Sequence, residues 1–136
     1  MTSRVSTVAG PREIADVLIV LADPVGSGLA QWAQTGVLGP DASYKVEGIG
    51  SSKPPDILDR SVIGHVESVS DEESFAMTRR LIREEGLLVG GSAGTAVVAA
   101  ERVARSGRVA GPVIALLPDS WDRYVSLDWM LAVSAS

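Results

Sequence analysis

The spacing of apolar and polar residues changes several times along the chain, and each change marks a predicted element. Residues 16–22 form a short apolar run rich in branched side chains, which is typical of a strand covered on both faces of a parallel sheet. Residues 65–70 alternate between the two classes, as in a strand with one exposed face. Residues 87–89 and 113–117 predict two more buried strands.

Helical patterns lie between these runs. Ser70 and Glu73 form a capping box for a helix over residues 71–85, which Gly86 ends. The side chains expected on its buried face are Phe75, Thr78, Leu81 and Ile82. Residues 29–33, 95–105 and 121–130 predict further helices. Because strands and helices alternate, we expect an α/β fold with a mostly parallel sheet flanked by helices.

The length of 136 residues predicts a single α/β domain over residues 1–136. Residues 1–14 are expected to be poorly ordered or a remnant segment. Residues 36–62 contain several glycines and the turn-forming stretch 51–56, and they predict a long loop. Loops of this length inside compact domains are usually functional or mobile.

Composition narrows the possible functions. A net charge of −5 without a basic stripe argues against nucleic-acid binding. The chain has no cysteine, and its acidic clusters at residues 71–73 and 84–85 contain no histidine, so we expect neither a disulfide nor a metal site. No apolar run is long enough to cross a membrane and no secretory signal is evident, which favours the cytoplasm.

Residues 87–95, Leu-Leu-Val-Gly-Gly-Ser-Ala-Gly-Thr, are the most informative stretch. Glycines at a helix N-terminus let a ligand approach unpaired backbone N–H groups, and Ser92 adds a hydroxyl. The pattern fits either a cofactor-binding turn or a capped helix packed tightly on a strand. Ligands of parallel sheets gather at the carboxyl ends of strands, where Asp23, Ser92 and Asp119 are expected.

Two other motifs lack a part that their function requires. Gly26 and Gly28 follow a strand, but the third glycine and the acidic residue of a dinucleotide fingerprint are missing. Ser92 also fits the Gly-x-Ser-x-Gly pattern of hydrolases. The only histidine, His65, precedes that serine, whereas the α/β-hydrolase order places it afterwards.

Three segments carry a resemblance to a known family. They are residues 47–50 (Glu-Gly-Ile-Gly), residues 84–94 with the glycine-serine turn, and residues 116–120 (Leu-Leu-Pro-Asp-Ser) followed by Tyr124 and residues 128–130. In order and spacing the chain resembles the C-terminal half of cystathionine β-synthase and cysteine synthase, which are fold-type II pyridoxal-phosphate enzymes. The resemblance extends over most of residues 16–130.

The resemblance implies a role for each segment. Ser92 corresponds to the serine whose hydroxyl contacts the pyridine nitrogen of pyridoxal phosphate, in a turn shaped by three glycines. The cofactor-binding residues implied in this way are Ser92, Gly90, Gly91, Gly94, Pro118, Asp119 and Ser120. The loop implied to close over the amino-acid substrate consists of Glu47, Gly48, Ile49 and Gly50.

The chain also departs from this family. The Schiff-base lysine and the asparagine-containing substrate loop of the family have no counterpart here. Lys45 and Lys53 lie in unrelated segments and are expected at the surface. Residues 6–10 correspond at most to the end of the family's phosphate-binding loop, and residues 11–14 to a shortened helix. Ser51 stands where the synthases commonly have an aromatic residue.

We therefore expect a partial or truncated β-replacement enzyme of cysteine and cystathionine biosynthesis. It has no catalytic residue of its own and is inactive alone, because a lysine is needed to bind the cofactor covalently and to move the α-proton. Cofactor binding by this chain alone is doubtful. The expected partner is a second copy or a separate chain carrying the N-terminal half. The alternative is a non-catalytic interaction module derived from the same fold.

Overall fold

The computed structural model describes residues 17–131, so the expectations for residues 1–14, including the phosphate-loop remnant at 6–10, lie outside the described part. The elements in chain order are β1 (Ile19–Pro24), α1 (Leu29–Thr35), a 3-10 turn (Arg60–Val62), β2 (Ile63–Val69), α2 (Asp71–Glu85), α3 (Gly91–Arg105), a second 3-10 turn (Trp121–Tyr124) and α4 (Asp128–Leu131). No helix among these residues is long and apolar enough to span a bilayer.

The described sheet consists of β1 and β2, which run parallel with Leu21 opposite Val66 and Asp23 opposite Ser68. α1 and an irregular stretch over residues 36–59 connect the two strands. Parallel strands require a crossover of this kind, usually through a helix. In this chain the crossover contains α1, so helix and parallel sheet belong to one fold. The predicted α/β class is confirmed.

The start and the end of α2 follow the sequence prediction. Ser70 Oγ accepts a hydrogen bond from the Glu73 amide at 3.2 Å, and the Glu73 carboxylate accepts one from the Ser70 amide at 3.0 Å. Gly86 ends the helix in the left-handed conformation. Phe75, Thr78 and Leu81 are buried as expected, whereas Ile82 is only half-buried.

α2 and α3 approach each other closely at Gly94. A Cβ atom on Gly94 would lie 1.9 Å from the Ser74 carbonyl oxygen and 2.4 Å from Thr78 Oγ1. Beside this contact, Thr95 Oγ1 donates to Ser74 Oγ at 2.7 Å, and Thr78 Oγ1 donates to the Gly90 carbonyl at 3.2 Å. Small residues and paired hydroxyls therefore let the two helices pack at this distance.

Apolar side chains cover the rest of this interface. The buried cluster consists of Met77, Leu81, Val89 and Ala93. Val97, Val98 and Leu117 pack against it. α3 begins at Gly91 and not at Thr95, because the glycine-serine stretch itself forms the first helical turn.

Two predicted strands are wrong. Within residues 87–89, only Val89 pairs, in a single antiparallel bridge with Ser120. Residues 113–117 form no strand, and Ile114 and Leu116 are 84% and 81% exposed. An apolar run favours burial, but a strand also needs a neighbour for its backbone hydrogen bonds, and no neighbour pairs with residues 113–117 in the described part of the chain.

The predicted helix over residues 121–130 is also wrong in part. The structure has a 3-10 turn at Trp121–Tyr124 and a separate short helix, α4, at Asp128–Leu131. Tyr124 and Met130 are buried while Val125 is exposed. The break lets the two short elements turn their buried side chains toward the core separately.

Asp23 ends β1 as a fully buried carboxylate. Its Oδ2 accepts a hydrogen bond from the Ala30 amide in the first turn of α1 at 2.8 Å. Its Oδ1 has no hydrogen-bond partner among residues 17–131. Burial raises the pKa of Asp23 above the ordinary value for aspartate, against the opposing effect of its hydrogen bonds.

Replacing Gly94 with alanine should destabilise the fold strongly, because the new methyl group would overlap the α2 backbone. Overpacking typically costs about 1–3 kcal/mol. A contact with backbone leaves little room for relaxation, so we expect a cost at the upper end of this range or above it. Gly111→Ala is the control, since a Cβ there meets nothing within 4 Å. Urea unfolding measures both variants, and equal stability of the two would contradict the close approach.

The buried Asp23 should make stability depend on pH. Because its pKa is raised, the native state holds this proton more tightly than the unfolded chain, and ionisation above about pH 4 destabilises the native state. Between pH 4 and 7, the free energy of unfolding of Asp23→Asn should therefore increase relative to the original protein. A difference that does not change with pH would show that the Asp23 pKa is not raised.

Candidate functional site

Pairing between two distant segments forms one wall of the site. The Gly90 amide donates to the Asp119 carbonyl at 3.2 Å, and the Trp121 amide donates to the Leu88 carbonyl at 3.3 Å. These bonds flank the antiparallel bridge between Val89 and Ser120. Asp119 and Ser120 consequently lie beside the N-terminus of α3.

A shallow, open cavity of about 410 Å³ lies at this place. The residues that line it are Gly48, Ser92, Pro118, Asp119, Ser120 and Arg123. The first five are among the residues that the sequence resemblance indicated. Three segments that are distant in the chain therefore contribute residues to one cavity.

Ser92 is the second residue of α3 and is only 4% exposed. Its hydroxyl has no hydrogen-bond partner within residues 17–131, although the side chain lines the cavity. The first turn of a helix carries partial positive charge and unpaired N–H groups. This end of the cavity can therefore offer both a hydroxyl and backbone donors to a polar ligand.

The carboxylate of Asp119 is fixed by its neighbours. The Tyr124 hydroxyl donates to Oδ2, and the Ser120 amide donates to Oδ1 at 3.0 Å. The hydrogen bond to Asp119, together with burial, raises the pKa of Tyr124 to about 12. The phenol is therefore a permanent donor at neutral pH and holds Asp119 in place.

Arg123 is a site residue that the sequence did not reveal. Its Nε lies 3.8 Å from Asp119 Oδ1, and its side chain is 74% exposed. It precedes Tyr124, which the resemblance had marked, but that signal did not show which side chains of the 3-10 turn face the cavity. Arg123 gives the cavity a cation beside the Asp119 carboxylate.

The predicted substrate loop reaches the cavity through one residue, Gly48. Gly48 and Gly50 have positive φ angles of 77° and 74°. A Cβ on Gly50 would lie 2.7 Å from Pro24 and 2.8 Å from the Tyr44 hydroxyl. Glu47 is exposed and Ile49 is half-buried, and neither lines the cavity.

The three predicted glycines around Ser92 lie outside the cavity lining and serve packing. A Cβ on Gly90 would lie 2.5 Å from the Tyr124 ring, and one on Gly91 would lie 3.0 Å from the Phe75 ring. Gly94 faces α2. The two interpretations of the turn are therefore compatible, since close packing by the glycines presents Ser92 to the cavity.

Other candidates lie away from this cavity. Asp23 does not line it, and His65 pairs with Glu67 at 2.8 Å on β2. Lys45 and Lys53 are exposed and do not line it either.

The fold agrees with a comparison to known families. Residues 7–119 match the family described as pyridoxal-phosphate dependent enzyme. The chain belongs to this family, whose members use pyridoxal phosphate as their cofactor.

Curated proteins similar to this chain include several cystathionine β-synthases. The chain is 38% identical to that of Dictyostelium discoideum over 122 residues, which cover 87% of this chain and 24% of the relative. It is 41% identical to that of Mus musculus over 117 residues, which cover 83% and 21%. The O-acetylserine dependent cystathionine β-synthase of Bacillus subtilis is 36% identical, with 81% and 34% covered.

Solved structures agree with these matches. The O-acetylserine dependent cystathionine β-synthase of Helicobacter pylori superposes with a TM-score of 0.72 at 35% identity, covering 84% of this chain and 35% of that one. An O-ureido-L-serine synthase with O-ureido-L-serine bound gives 0.69 at 29% identity, covering 87% and 35%. The chain thus spans about a third or less of the length of these relatives.

The bond between Tyr124 and Asp119 should be measurable as a coupling free energy. A hydrogen bond to a charged group contributes about 1.5–3 kcal/mol, and partial exposure of Asp119 should bring the coupling to about 1–2 kcal/mol. Urea unfolding of Tyr124→Phe, Asp119→Ala and the double variant gives this value. The control pair, Arg123→Gln with Asp119→Ala, should couple by less than about 0.5 kcal/mol because Arg123 is exposed. Additive effects of the first pair would contradict the bond.

Proposed function

We propose that this chain forms the part of a cystathionine β-synthase or cysteine synthase type enzyme that faces the pyridine ring of pyridoxal phosphate. It corresponds to the C-terminal half of those enzymes and does not catalyse β-replacement alone. The observation that carries the proposal is the cavity itself. Gly48, Ser92 and Asp119 come from three distant segments, and the family resemblance assigns all three to one active site.

The residues present fit the cofactor. The Ser92 hydroxyl lacks a protein partner in the described chain, lies at the cavity wall and can hydrogen-bond the pyridine nitrogen. A carboxylate beside that nitrogen would hold it protonated. Because the hydroxyl is neutral, it positions the nitrogen without holding it protonated. When bound, pyridoxal phosphate supplies an electron sink for the α-carbon of an amino acid. Pro118, Asp119 and Ser120 then form the wall along the ring edge.

The loop Glu47–Gly50 is assigned to the amino-acid substrate. Gly48 lines the cavity. Because glycine has no side chain, its backbone can adopt the positive φ that the turn has at this position. Closure of this loop would exclude water and place backbone N–H groups near the substrate. The chain's own residues therefore bind and orient, and this is the function that the site supports.

Proton transfer requires a group that the cavity does not provide. No lysine lines the cavity in the described part of the chain, and Lys45 and Lys53 are exposed. A lysine from a further segment, in the same polypeptide or in a partner chain, would complete the site. The exposed side chains of Val113, Ile114 and Leu116 offer that segment an apolar surface for docking.

The same exposed apolar surface favours a second candidate function, a non-catalytic interaction module. Ile114 and Leu116 would then bury their side chains against another copy of the chain or a partner protein. Light scattering tests self-association, because a chain that stays monomeric at high concentration would contradict it. Cofactor binding would favour the first proposal.

The test of the proposed site is pyridoxal-phosphate binding by Ser92→Ala. Loss of one neutral hydrogen bond should weaken the affinity by about 2- to 10-fold, as measured by equilibrium dialysis. The control is Ser126→Ala, which removes an exposed hydroxyl outside the cavity lining and should leave the affinity unchanged. Equal affinities of Ser92→Ala and the original protein would contradict a site at Ser92.

The dependence on a further segment has its own test. Borohydride reduction with pyridoxal phosphate, followed by peptide mapping, should give no stoichiometric adduct at Lys45 or Lys53. The chain with cofactor, O-acetylserine and a thiol should form no β-replacement product. A specific adduct at Lys53, or turnover that Lys53→Arg abolishes, would show that the chain is complete as a catalyst.

A further inference from the structure

One flank of the loop Glu47–Gly50 is held by Asp71, the first residue of α2. The Lys45 amide donates to both carboxylate oxygens of Asp71, at 3.0 and 2.8 Å, and the Val46 amide donates to Oδ1 at 3.2 Å. Hydrogen bonds to a carboxylate are stronger than those between neutral groups. Val46 is also 2% exposed, so this flank is fixed by burial as well.

The other flank is held by Ser27, in the turn that follows β1. Ser27 Oγ accepts a hydrogen bond from the Ser51 amide at 3.1 Å and donates to the Ser51 carbonyl at 3.3 Å. It also accepts from the Leu29 amide at 3.2 Å, at the start of α1. One hydroxyl therefore ties the end of the loop to the junction between β1 and α1.

Between these anchors Gly48 lies in open space, whereas Gly50 packs closely against Pro24 and Tyr44. Residues 47–50 make no backbone hydrogen bond to any residue in the range 17–131. Gly48 has no neighbour within 4 Å of its Cβ position, and both Gly48 and Gly50 have positive φ angles. The loop thus combines two hydrogen-bonded ends with an open position at Gly48.

We propose that Asp71 and Ser27 are positioning residues that confine movement to Glu47–Gly50 and hold Gly48 at the cavity. The proposal rests on the assignment of this loop to the substrate. Both anchors belong to the rigid scaffold, since Asp71 opens a capped 15-residue helix and Ser27 follows the buried end of β1. The positions of β1 and α2 therefore determine where the two ends of the loop lie.

The test is amide hydrogen exchange, resolved by NMR, in the full chain. Asp71→Ala should accelerate exchange of the Lys45 and Val46 amides at least tenfold, because both lose a charged acceptor. The Ser51 amide should not change. The matched control is Glu72→Ala, which removes the same charge from the same helical turn but no contact with the loop.

Ser27→Ala should accelerate exchange of the Ser51 amide and leave Lys45 and Val46 unchanged. Ser27→Thr retains the hydroxyl and should restore slow exchange, which a loss caused merely by altered packing would not predict. Ser52→Ala, a neighbouring exposed serine, is the control. Faster exchange throughout α2 and α3 in either anchor variant would make that residue a general stabiliser and overturn the assignment.

The two proposals fail separately. Unchanged exchange at residues 45, 46 and 51 would overturn the anchors and leave the Ser92 cofactor test unaffected. Confirmed anchors, together with no effect of Ser92→Ala on cofactor affinity, would establish a tethered loop and remove its assignment to an amino-acid substrate.

Discussion

The contact between α2 and α3 at Gly94 is the constraint on which the rest of the structure depends. Because Gly94 has no side chain, the α3 backbone reaches the Ser74 carbonyl, and the hydroxyls of Ser74, Thr78 and Thr95 bond within the contact. The Thr78 hydroxyl also donates to the Gly90 carbonyl, at the N-cap of α3. The contact between α2 and α3 therefore fixes the position of the glycine-serine turn, which places Ser92 at the cavity.

A second set of contacts attaches the C-terminal segment to this pair of helices. Trp129 stacks on Phe75 of α2 with ring centroids 4.4 Å apart, and Tyr124 lies at 5.9 Å from the same indole. Tyr124 in turn holds the Asp119 carboxylate. The cavity wall at Asp119 and Ser120 is thus supported through aromatic packing, and its geometry follows from α2 as that of Ser92 does.

Features that depend only on residues close in the sequence could be predicted from the sequence. The capping box of Ser70 and Glu73 and the end of α2 at Gly86 are local, and both predictions are confirmed. The predicted strand at residues 113–117 is wrong because pairing depends on a distant neighbour. The family resemblance links Gly48, Ser92 and Asp119 through their sequence motifs, whereas Arg123 requires knowledge of which side of a 3-10 turn faces the cavity.

The charges at the cavity define what a completing segment would add. Ser92 offers a neutral hydroxyl, while Asp119 and Arg123 offer opposite charges that lie close to each other. None of these groups is an amine that could bind a carbonyl covalently and return a proton. Leu116 is exposed and lies two residues before Pro118, which lines the cavity. Under the proposed function, a segment that paired along residues 113–117 would therefore reach the cavity at Pro118, so that it would bury these exposed apolar side chains and complete the proposed site at the same time.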